Sequence, residues 1–439
     1  MTNHRRTSVT RAVASTLVIG LTTLGLAACG GSDDDGGDNG NGGESTASSP
    51  EGVDDGSTLT MWTRAPLEKQ ANLLVDAYNE SHENQVDLTI VPNDDYVAKV
   101  GAAAGSDGLP DLFAADIVYV PNWVQQGLFQ DITGNIDGLD YADTINQGHL
   151  DAGTYEDAEY VLPFVLDVSM MFYNKDLYEQ AGLDPEQGPT TLEEFGEQAK
   201  AVDELGGGVD GTFFGGNCGG CLVFTWFPSI WAADEDVMNA EGTESLLASD
   251  TAKDVYAVYK DLVDSDAVGA GTRDETGATW VAPFQEGKVG VMPYPATLLS
   301  TADETIDVGV VPIPGPGGGG STFVGGDGIG ISKDSEQSDQ AWNFLQWMMS
   351  EDAQVEVLAK DGNVVSRSDL TDNEYAAADP RVQLINETAA EGRTPVALNF
   401  QQAFNAPSSP WLTLVRNAVF EDGSSIDADN EEITAILSQ

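Results

Sequence analysis

The segment STLTMWTRAPLEKQANLLVDAYNESHENQVDLTIVP, residues 57–92, decides the fold class. Residues 57–62 alternate between apolar and polar side chains, as a half-buried strand does, and residues 86–91 alternate in the same way. Between them an apolar face recurs at helical spacing, formed by Leu67, Ala71, Leu74 and Tyr78. A strand, a helix and a strand joined by short connections predict a parallel α/β unit.

Farther along the chain, Thr191-x-x-Glu194 predicts a capping box at the start of a helix, and two more helices are predicted over residues 352–360 and 410–420.

The length and charge of the chain limit what it can be. Residues 58–439 are too many for a single hydrophobic core and predict two lobes. The formal net charge of −55 excludes nucleic acid as a partner, because nucleic-acid-binding surfaces are basic. The same charge argues against direct attachment to anionic lipid, and we expect it to serve solubility.

The N-terminus predicts export. A cationic stub that includes Arg5, Arg6 and Arg11 precedes an apolar run over residues 12–28. This run is too short for a membrane-spanning helix of about 20 residues, so residues 1–28 are interpreted as a signal peptide. Leu26-Ala27-Ala28-Cys29 resembles the lipobox of bacterial lipoproteins, and the resemblance implies that Cys29 is lipidated. The alternative is an ordinary signal peptide that happens to precede a cysteine.

Residues 29–57 predict a tether. From residue 30 onward this segment consists almost entirely of Gly, Asp, Ser, Asn and Glu, and it contains no aromatic and no basic residue. Such a composition predicts a disordered, extended linker. We therefore expect a folded body held on the outer face of the cell membrane by the lipid on Cys29 alone.

Two further cysteines, Cys218 and Cys221, stand in the motif NCGGC. A zinc site would need a second pair or nearby histidines, and a thioredoxin-like site would need a βαβ context. In an exported protein a local structural disulfide is the favoured interpretation.

The motifs of common enzyme classes are missing from the sequence. It contains no GxSxG, HExxH or GxxxxGK[ST] motif and no pair of histidines at metal-binding spacing. The glycine-rich residues 315–330 lack the spacing of a dinucleotide-binding loop. Carboxylates are abundant, so a glycosidase pair is not excluded by residue type. We nevertheless expect a protein that is not an enzyme and that needs neither a cofactor nor a metal ion.

Polar and aromatic residues at predicted strand ends suggest sugar binding. Aromatic rings can cover the flat faces of a sugar, while carboxylates and guanidinium groups hydrogen-bond its hydroxyls. Any single aromatic residue can equally well belong to the core. The candidates are Trp62, Arg64, Asp95, Asp116, Asp167 and Trp226.

Six segments in a fixed order carry a family resemblance. They are PDLFAADIVYVPNWVQQGLF (110–129), LPFVLDVSMMFYNKDLYEQAGL (162–183), FTWFPSIWA (224–232), FQEGKVGVM (284–292), VGGDGIGIS (324–332) and AWNFLQWMMSEDAQ (341–354). In this order they resemble the extracellular solute-binding proteins of carbohydrate ABC importers, the group that includes maltose-binding protein. The resemblance implies a periplasmic-binding-protein-like fold of type II, with two α/β lobes joined by a hinge.

The resemblance also implies lobe boundaries. Lobe one would comprise residues 58–165 and 329–345. Lobe two would comprise residues 166–328 and 346–439. The ligand would lie between them, at the carboxyl ends of the strands.

Site residues follow from the resemblance position by position. Trp62, Asp116 and Asp167 match cleft residues, and Trp226 and Trp411 lie near segments that stack on sugar. Gly325, Gly326 and Asp327 match a segment that passes close to the ligand. The tryptophan that the family carries after the FxxGKxAM-like motif is missing, and Tyr294 occupies its neighbourhood. NCGGC is a second departure, and both departures affect the cleft wall.

The predicted function is that of a monomeric, lipid-anchored receptor. It would bind a mono- or oligosaccharide and deliver it to an ABC permease. An extracytoplasmic carbohydrate hydrolase is the rival hypothesis. A third keeps the fold but changes the ligand to a phosphorylated polyol, an amine or a metal complex. A phosphate would call for several basic groups, and Arg64 is the only basic residue that we expect in the cleft.

Overall fold

A computed structural model of the chain describes residues 51–302 and 305–439, with the side chain of Asp94 left out. The predicted signal peptide, the lipidation of Cys29 and residues 29–50 of the predicted linker lie outside the described residues. None of the described helices is both long and apolar enough to span a membrane.

A mixed sheet of seven strands organises the described chain, in the order β2-β1-β3-β11-β6-β7 with β8 also paired to β6. Two short hairpins, β4–β5 and β9–β10, lie apart from it. The strands are β1 (Thr58–Arg64), β2 (Gln85–Val91), β3 (Leu112–Asp116), β4 (Thr154–Tyr155), β5 (Ala158–Glu159), β6 (Leu162–Asn174), β7 (Val291–Pro295), β8 (Val308–Val311), β9 (Ile313–Gly315), β10 (Gly318–Ser321) and β11 (Val324–Ile331).

Helices connect the strands and make up most of the C-terminal part. The first eight are α1 (Glu68–Ser81), α2 (Asn93–Ala104), α3 (Val120–Gln125), α4 (Thr133–Ile136), α5 (Gln147–Ala152), α6 (Lys175–Gln180), α7 (Leu192–Asp203) and α8 (Gly219–Trp231). The others are α9 (Asp250–Asp264), α10 (Ala282–Gln285), α11 (Leu298–Thr301), α12 (Ser338–Met348), α13 (Pro380–Ala390), α14 (Pro410–Phe420) and α15 (Ile426–Leu437).

The predicted parallel unit is confirmed. Strand β1 pairs in parallel with β2 in register from Thr58 opposite Gln85, and it pairs in parallel with β3 on its other side. Alternate residues of β1 are buried, and the inner face of α1 packs into the same core. The buried face of α1 contains the Ala71, Leu74 and Tyr78 of the predicted apolar stripe.

Strand β6 is the longest strand and links the two ends of the sheet. Residues 162–168 pair with β11, whereas residues 169–174 pair with β7 and β8. Twelve of its thirteen residues are buried, and Asp167 is the one that is partly exposed. A strand this apolar on both faces is covered by helices on both sides.

Local predictions met three kinds of outcome. The helix predicted over residues 410–420 is confirmed with those bounds as α14. The capping box at Thr191 is only half formed: the Thr191 hydroxyl accepts from the Glu194 amide, but Glu194 accepts from Thr190 instead of reaching back to Thr191. The helix predicted over residues 352–360 is confirmed in extent, but it is a π-helical stretch followed by a 3-10 turn rather than an α-helix.

Cys218 and Cys221 are joined by a disulfide in the structure. Cys218 also precedes α8, and its sulfur accepts from the Cys221 amide at 3.1 Å. The bridge therefore lies at the first turn of α8, a helix that no periodicity argument predicted.

Candidate functional site

One large cavity, of about 840 Å³, opens in the described structure. Its lining includes residues 64, 66, 67, 69, 70, 116–118 and 165 from the predicted lobe-one ranges, and residues 166, 167, 220, 221, 223 and 224 from the predicted lobe-two ranges. The volume falls within the range of roughly 300–1,000 Å³ that is typical of small-molecule sites. Because β1 and β3 are parallel, their carboxyl ends, Arg64 and Asp116, meet at the same edge of the sheet and reach this cavity.

Arg64 is the centre of a buried ion-pair network. Its Nε lies 2.9 Å and 3.0 Å from the two carboxylate oxygens of Asp327, its Nη2 also contacts Asp327, and the same Nη2 lies 3.2 Å from Asp116. Asp327 is fully buried on β11, directly opposite Asp116 on β3. The cross-strand register therefore brings together three charged groups that are far apart in sequence.

Burial and ion pairing shift the pKa values of this network in opposite directions. Burial lowers the pKa of Arg64, but the carboxylates of Asp327 and Asp116 raise it above its ordinary value, so the guanidinium stays charged. Burial raises the pKa of Asp327, while the charge of Arg64 pulls it back down. A charged pair this well desolvated fixes local geometry more than it adds stability.

Asp167, on β6, is another carboxylate of the cavity wall. It lies opposite Gly325 in the register and lines the cavity wall. Burial raises the pKa of Asp167 to about 7, although Arg64 lowers it. No residue within the described ranges forms an ion pair with it.

Gly326 is required by the close approach of β11 and β6. It has a φ of +100°, and a Cβ at this position would lie 1.9 Å from the Val165 carbonyl oxygen. Any side chain here would push β11 away from β6 and displace the neighbouring Asp327 from Arg64.

Aromatic rings form another part of the lining. Phe224 on α8, Phe323 before β11, and Trp280 all contact the cavity. Phe224 and Phe323 pack with their ring centroids 5.2 Å apart. The indole Nε1 of Trp280 is buried and finds no hydrogen-bond partner among the described residues. Such an orphaned donor is unusual in a folded protein, and a ligand oxygen would satisfy it.

A family model described as bacterial extracellular solute-binding protein matches residues 64–355. The chain belongs to this family. The predicted resemblance is thereby confirmed, and the family consists of binding proteins, not of enzymes.

Solved structures share the fold of this solute-binding protein. The cyclic α-maltosyl-1,6-maltose binding protein of Arthrobacter globiformis superposes with a TM-score of 0.75, at 23% identity, over 88% of this chain and all of that one. The maltose-bound MalE3 of T. maritima superposes with a TM-score of 0.71, at 20% identity, over 87% of this chain and 99% of its own. The predicted two-lobed α/β class is confirmed by these likenesses.

Among curated sequences, the diacetylchitobiose binding protein DasA of Streptomyces coelicolor is 24% identical over 394 residues. The alignment covers 85% of this chain and 83% of that protein.

Five of the predicted site residues of this solute-binding protein line the cavity: Arg64, Asp116, Asp167, Gly325 and Gly326. Asp327 lies immediately behind Arg64 as its buried partner. The structure thus brings six of the eleven candidates together.

The other five do not reach the lining. Trp62 has Lys99 Nζ 4.0 Å from its ring centroid, and Asp95 is exposed on α2. Tyr294 packs edge-on against Trp280 at 4.5 Å, one layer behind the wall. Trp226 and Trp411 are fully buried in the core, where Trp226 stacks on Tyr259 at 3.9 Å and the Trp411 indole donates to the Gly219 carbonyl oxygen. Ligand contact by any of the eleven stays a prediction.

Sequence reasoning missed several lining residues. The expectation that Arg64 is the only basic residue of the cleft is wrong, because Lys69 and Arg381 also line the cavity. Lys69 lies on the predicted helix that follows β1, so its position in sequence could have predicted that it lies near Arg64. Arg381 lies in α13, which only tertiary packing places beside the cavity. Trp280 lies in an irregular segment, where no helical or strand periodicity predicts the direction of its side chain.

Proposed function

We propose that this protein is a receptor that captures a sugar in the cavity and delivers it to an ABC import permease. The observation that carries the proposal is the combined lining of the 840 Å³ cavity, which presents both aromatic rings and the carboxylates of Asp116 on β3 and Asp167 on β6. Rings pack against the C–H faces of a sugar, and carboxylates accept hydrogen bonds from its hydroxyls. The names of the relatives, which refer to maltose, a cyclic maltosyl-maltose and diacetylchitobiose, support the same ligand class.

Capture would involve movement of two lobes, residues 58–165 with 329–345 against residues 166–328 with 346–439. The proposed boundaries are supported by the cavity lining, which draws residues from both sets. A ligand that contacts both sets stabilises the closed arrangement, and the permease would recognise that arrangement. No bond of the sugar is broken.

The proposal includes the cellular location of the receptor. The signal peptide is removed, Cys29 carries the lipid, and residues 30–57 tether a monomeric body to the outer face of the cell membrane. The disulfide between Cys218 and Cys221 forms after export, in an oxidising compartment. Replacing Cys29 by serine should move the protein from the membrane fraction to the soluble fraction of the expressing cells.

Isothermal titration calorimetry with a panel of mono- and oligosaccharides tests the function. We expect saturable binding of one sugar per protein and an unchanged sugar after incubation, measured by chromatography. Release of hydrolysis products would favour the rival hydrolase. Failure of every sugar in the panel to bind would contradict the proposal.

A further inference from the structure

The charges that line the cavity do not balance. Three cationic and four carboxylate side chains contribute to the lining, and Asp327 adds a fifth carboxylate behind Arg64. Every one of the three cations is already paired: Arg64 with Asp327 and Asp116, Lys69 with Asp361 at 2.7 Å, and Arg381 with Asp379 at 2.6 Å. The cavity therefore offers no free cation within the described residues.

One lining carboxylate is left over. Asp167 forms no ion pair with any described residue, although it lies on the same wall as the Arg64 network. The lining also contains a second unsatisfied acceptor. The Oδ1 atom of Asn405 is buried without a hydrogen-bond partner in the described structure. The Val168 amide already donates to the Asp167 carboxylate, but a carboxylate can accept several hydrogen bonds and this one has no counter-charge in contact. An ammonium group supplies both a positive charge and up to three donors.

We propose that the solute carries a protonated amino group that pairs with Asp167, and that it is an amino sugar. The inference rests on the proposed function and narrows its ligand class. The hydroxyl oxygens of the same sugar would accept from the orphaned Trp280 indole, and the C–H faces would pack on Phe224 or Phe323.

The same count of charges argues against acidic ligands. A uronic acid or a phosphorylated polyol would have to compete with a carboxylate partner for each cation. At Arg64 this competition would leave the buried carboxylate of Asp327 unpaired. The phosphorylated polyol considered from the sequence is therefore disfavoured by the structure's own ion pairs. A neutral sugar meets no such penalty, but it offers the ionised form of Asp167 no counter-charge, whereas a bound ammonium would lower the raised pKa of Asp167 and favour the carboxylate.

Sets of parent sugars with different substituents test the proposal on the full mature protein. We would titrate glucosamine, N-acetylglucosamine, glucose and glucuronate at pH 7 and low salt. The four corresponding derivatives of galactose and the disaccharides chitobiose and cellobiose would be titrated under the same conditions. A charge-assisted hydrogen bond exceeds a neutral one by enough to give roughly tenfold tighter binding. We expect the amino sugar of the preferred set to bind about tenfold more tightly than its neutral parent, and this gap to shrink as sodium chloride is added.

Two variants separate the role of Asp167 from the overall charge. Asp167→Asn should bring the ratio of the two dissociation constants, amino sugar over neutral sugar, close to one. Asp254→Asn removes an equal charge from an exposed site on α9, outside the cavity lining, and should keep the wild-type ratio. The ratio measured on the wild-type protein does not depend on whether either variant folds.

The outcomes distinguish the two levels of the argument. Neutral sugars that bind as tightly as amino sugars would overturn the inference and leave the sugar receptor standing, and so would acidic sugars that bind most tightly. If no sugar binds, the proposed function fails and the inference fails with it.

Discussion

Arg64, at the end of β1, holds Asp327 on β11 through both oxygens of the carboxylate, at 2.9 Å and 3.0 Å from its Nε. These two residues are 263 positions apart, and Asp327 is fully buried. The pair therefore ties the first strand of the body to the strand that completes the cavity wall.

Removing Arg64 should destabilise the fold. In Arg64→Met, Asp327 is left buried without its counter-charge, and we expect a loss of about 3–5 kcal/mol in the free energy of unfolding. The loss should be smaller at pH 5 than at pH 8, because burial raises the pKa of Asp327 and the removal of Arg64, whose charge lowers that pKa, raises it further, so that protonation at acidic pH relieves the unpaired charge. Urea denaturation at both pH values measures this.

The control for that variant is Arg393→Met. Arg393 pairs with Asp236 at 2.9 Å, but both side chains are largely exposed, so its removal should change the free energy of unfolding by at most ~1 kcal/mol. Equal losses in the two variants would contradict the structural role assigned to Arg64.

Asp167 should make stability fall as the pH rises. Burial raises its pKa from an ordinary value of 3.8 to about 7, so between these values the folded protein holds a proton that the unfolded chain releases. The stabilisation is complete below pH 4 and is lost as the pH rises through 7. We expect the difference in unfolding free energy between the wild type and Asp167→Asn to decline over this range.

His149 provides a check on that measurement. It is fully buried, its Nε2 lies 3.0 Å from the Gly325 carbonyl oxygen, and burial lowers its pKa to about 4. Its contribution has the opposite sign and is lost as the pH falls below about 6.5. Since His149 is common to both proteins, it cancels in the difference, and a difference that stays flat from pH 4 to 8 would refute the pH dependence assigned to Asp167.

Two aromatic residues on α8 should behave differently. Phe224→Ala removes part of the cavity lining, so it should weaken sugar binding while most of the stability remains. Trp226→Ala leaves a hole in the core beside Tyr259 and should cost about 3–5 kcal/mol of stability. Calorimetry and thermal unfolding of both variants measure the two effects. The assignment of faces on α8 is wrong if Trp226→Ala, measured while folded, loses affinity and Phe224→Ala does not.

The Cys218–Cys221 bridge should contribute modestly to stability. It closes only the short loop over residues 218–221, so the chain-entropy account gives about 2 kcal/mol. Cys221 lines the cavity beside Phe224, so reduction should also weaken sugar binding. Thermal unfolding and calorimetry with and without dithiothreitol measure both, and the double variant Cys218→Ser, Cys221→Ser is the control that should not respond to the reductant.

The sequence could predict features that depend on local periodicity. The alternation in residues 57–62 and 86–91 predicts the parallel pairing of β1 and β2, because a helix of suitable length stands between them. Arg64 and Asp116 could be placed in one site because both follow parallel strands.

The rest depends on packing that no local pattern encodes. Trp226 is a candidate because it is aromatic and lies near a segment that the family resemblance places on the sugar, but the phase of α8 turns it to the core and turns Phe224 to the cavity. Trp411, the second residue of α14, is likewise turned to the core and fully buried. Trp280 and Arg381 reach the cavity from an irregular segment and from a helix near the C-terminus, and only the tertiary fold brings them there.

The central claim, that the cavity captures a sugar without altering it, is tested most directly by calorimetric titration of the purified body with its best-binding sugar. The account predicts one binding site per chain and recovery of the intact sugar. It also predicts that Trp280→Ala binds the sugar more weakly than the wild type does. Absence of binding across the whole panel, or recovery of cleaved sugar, would contradict it.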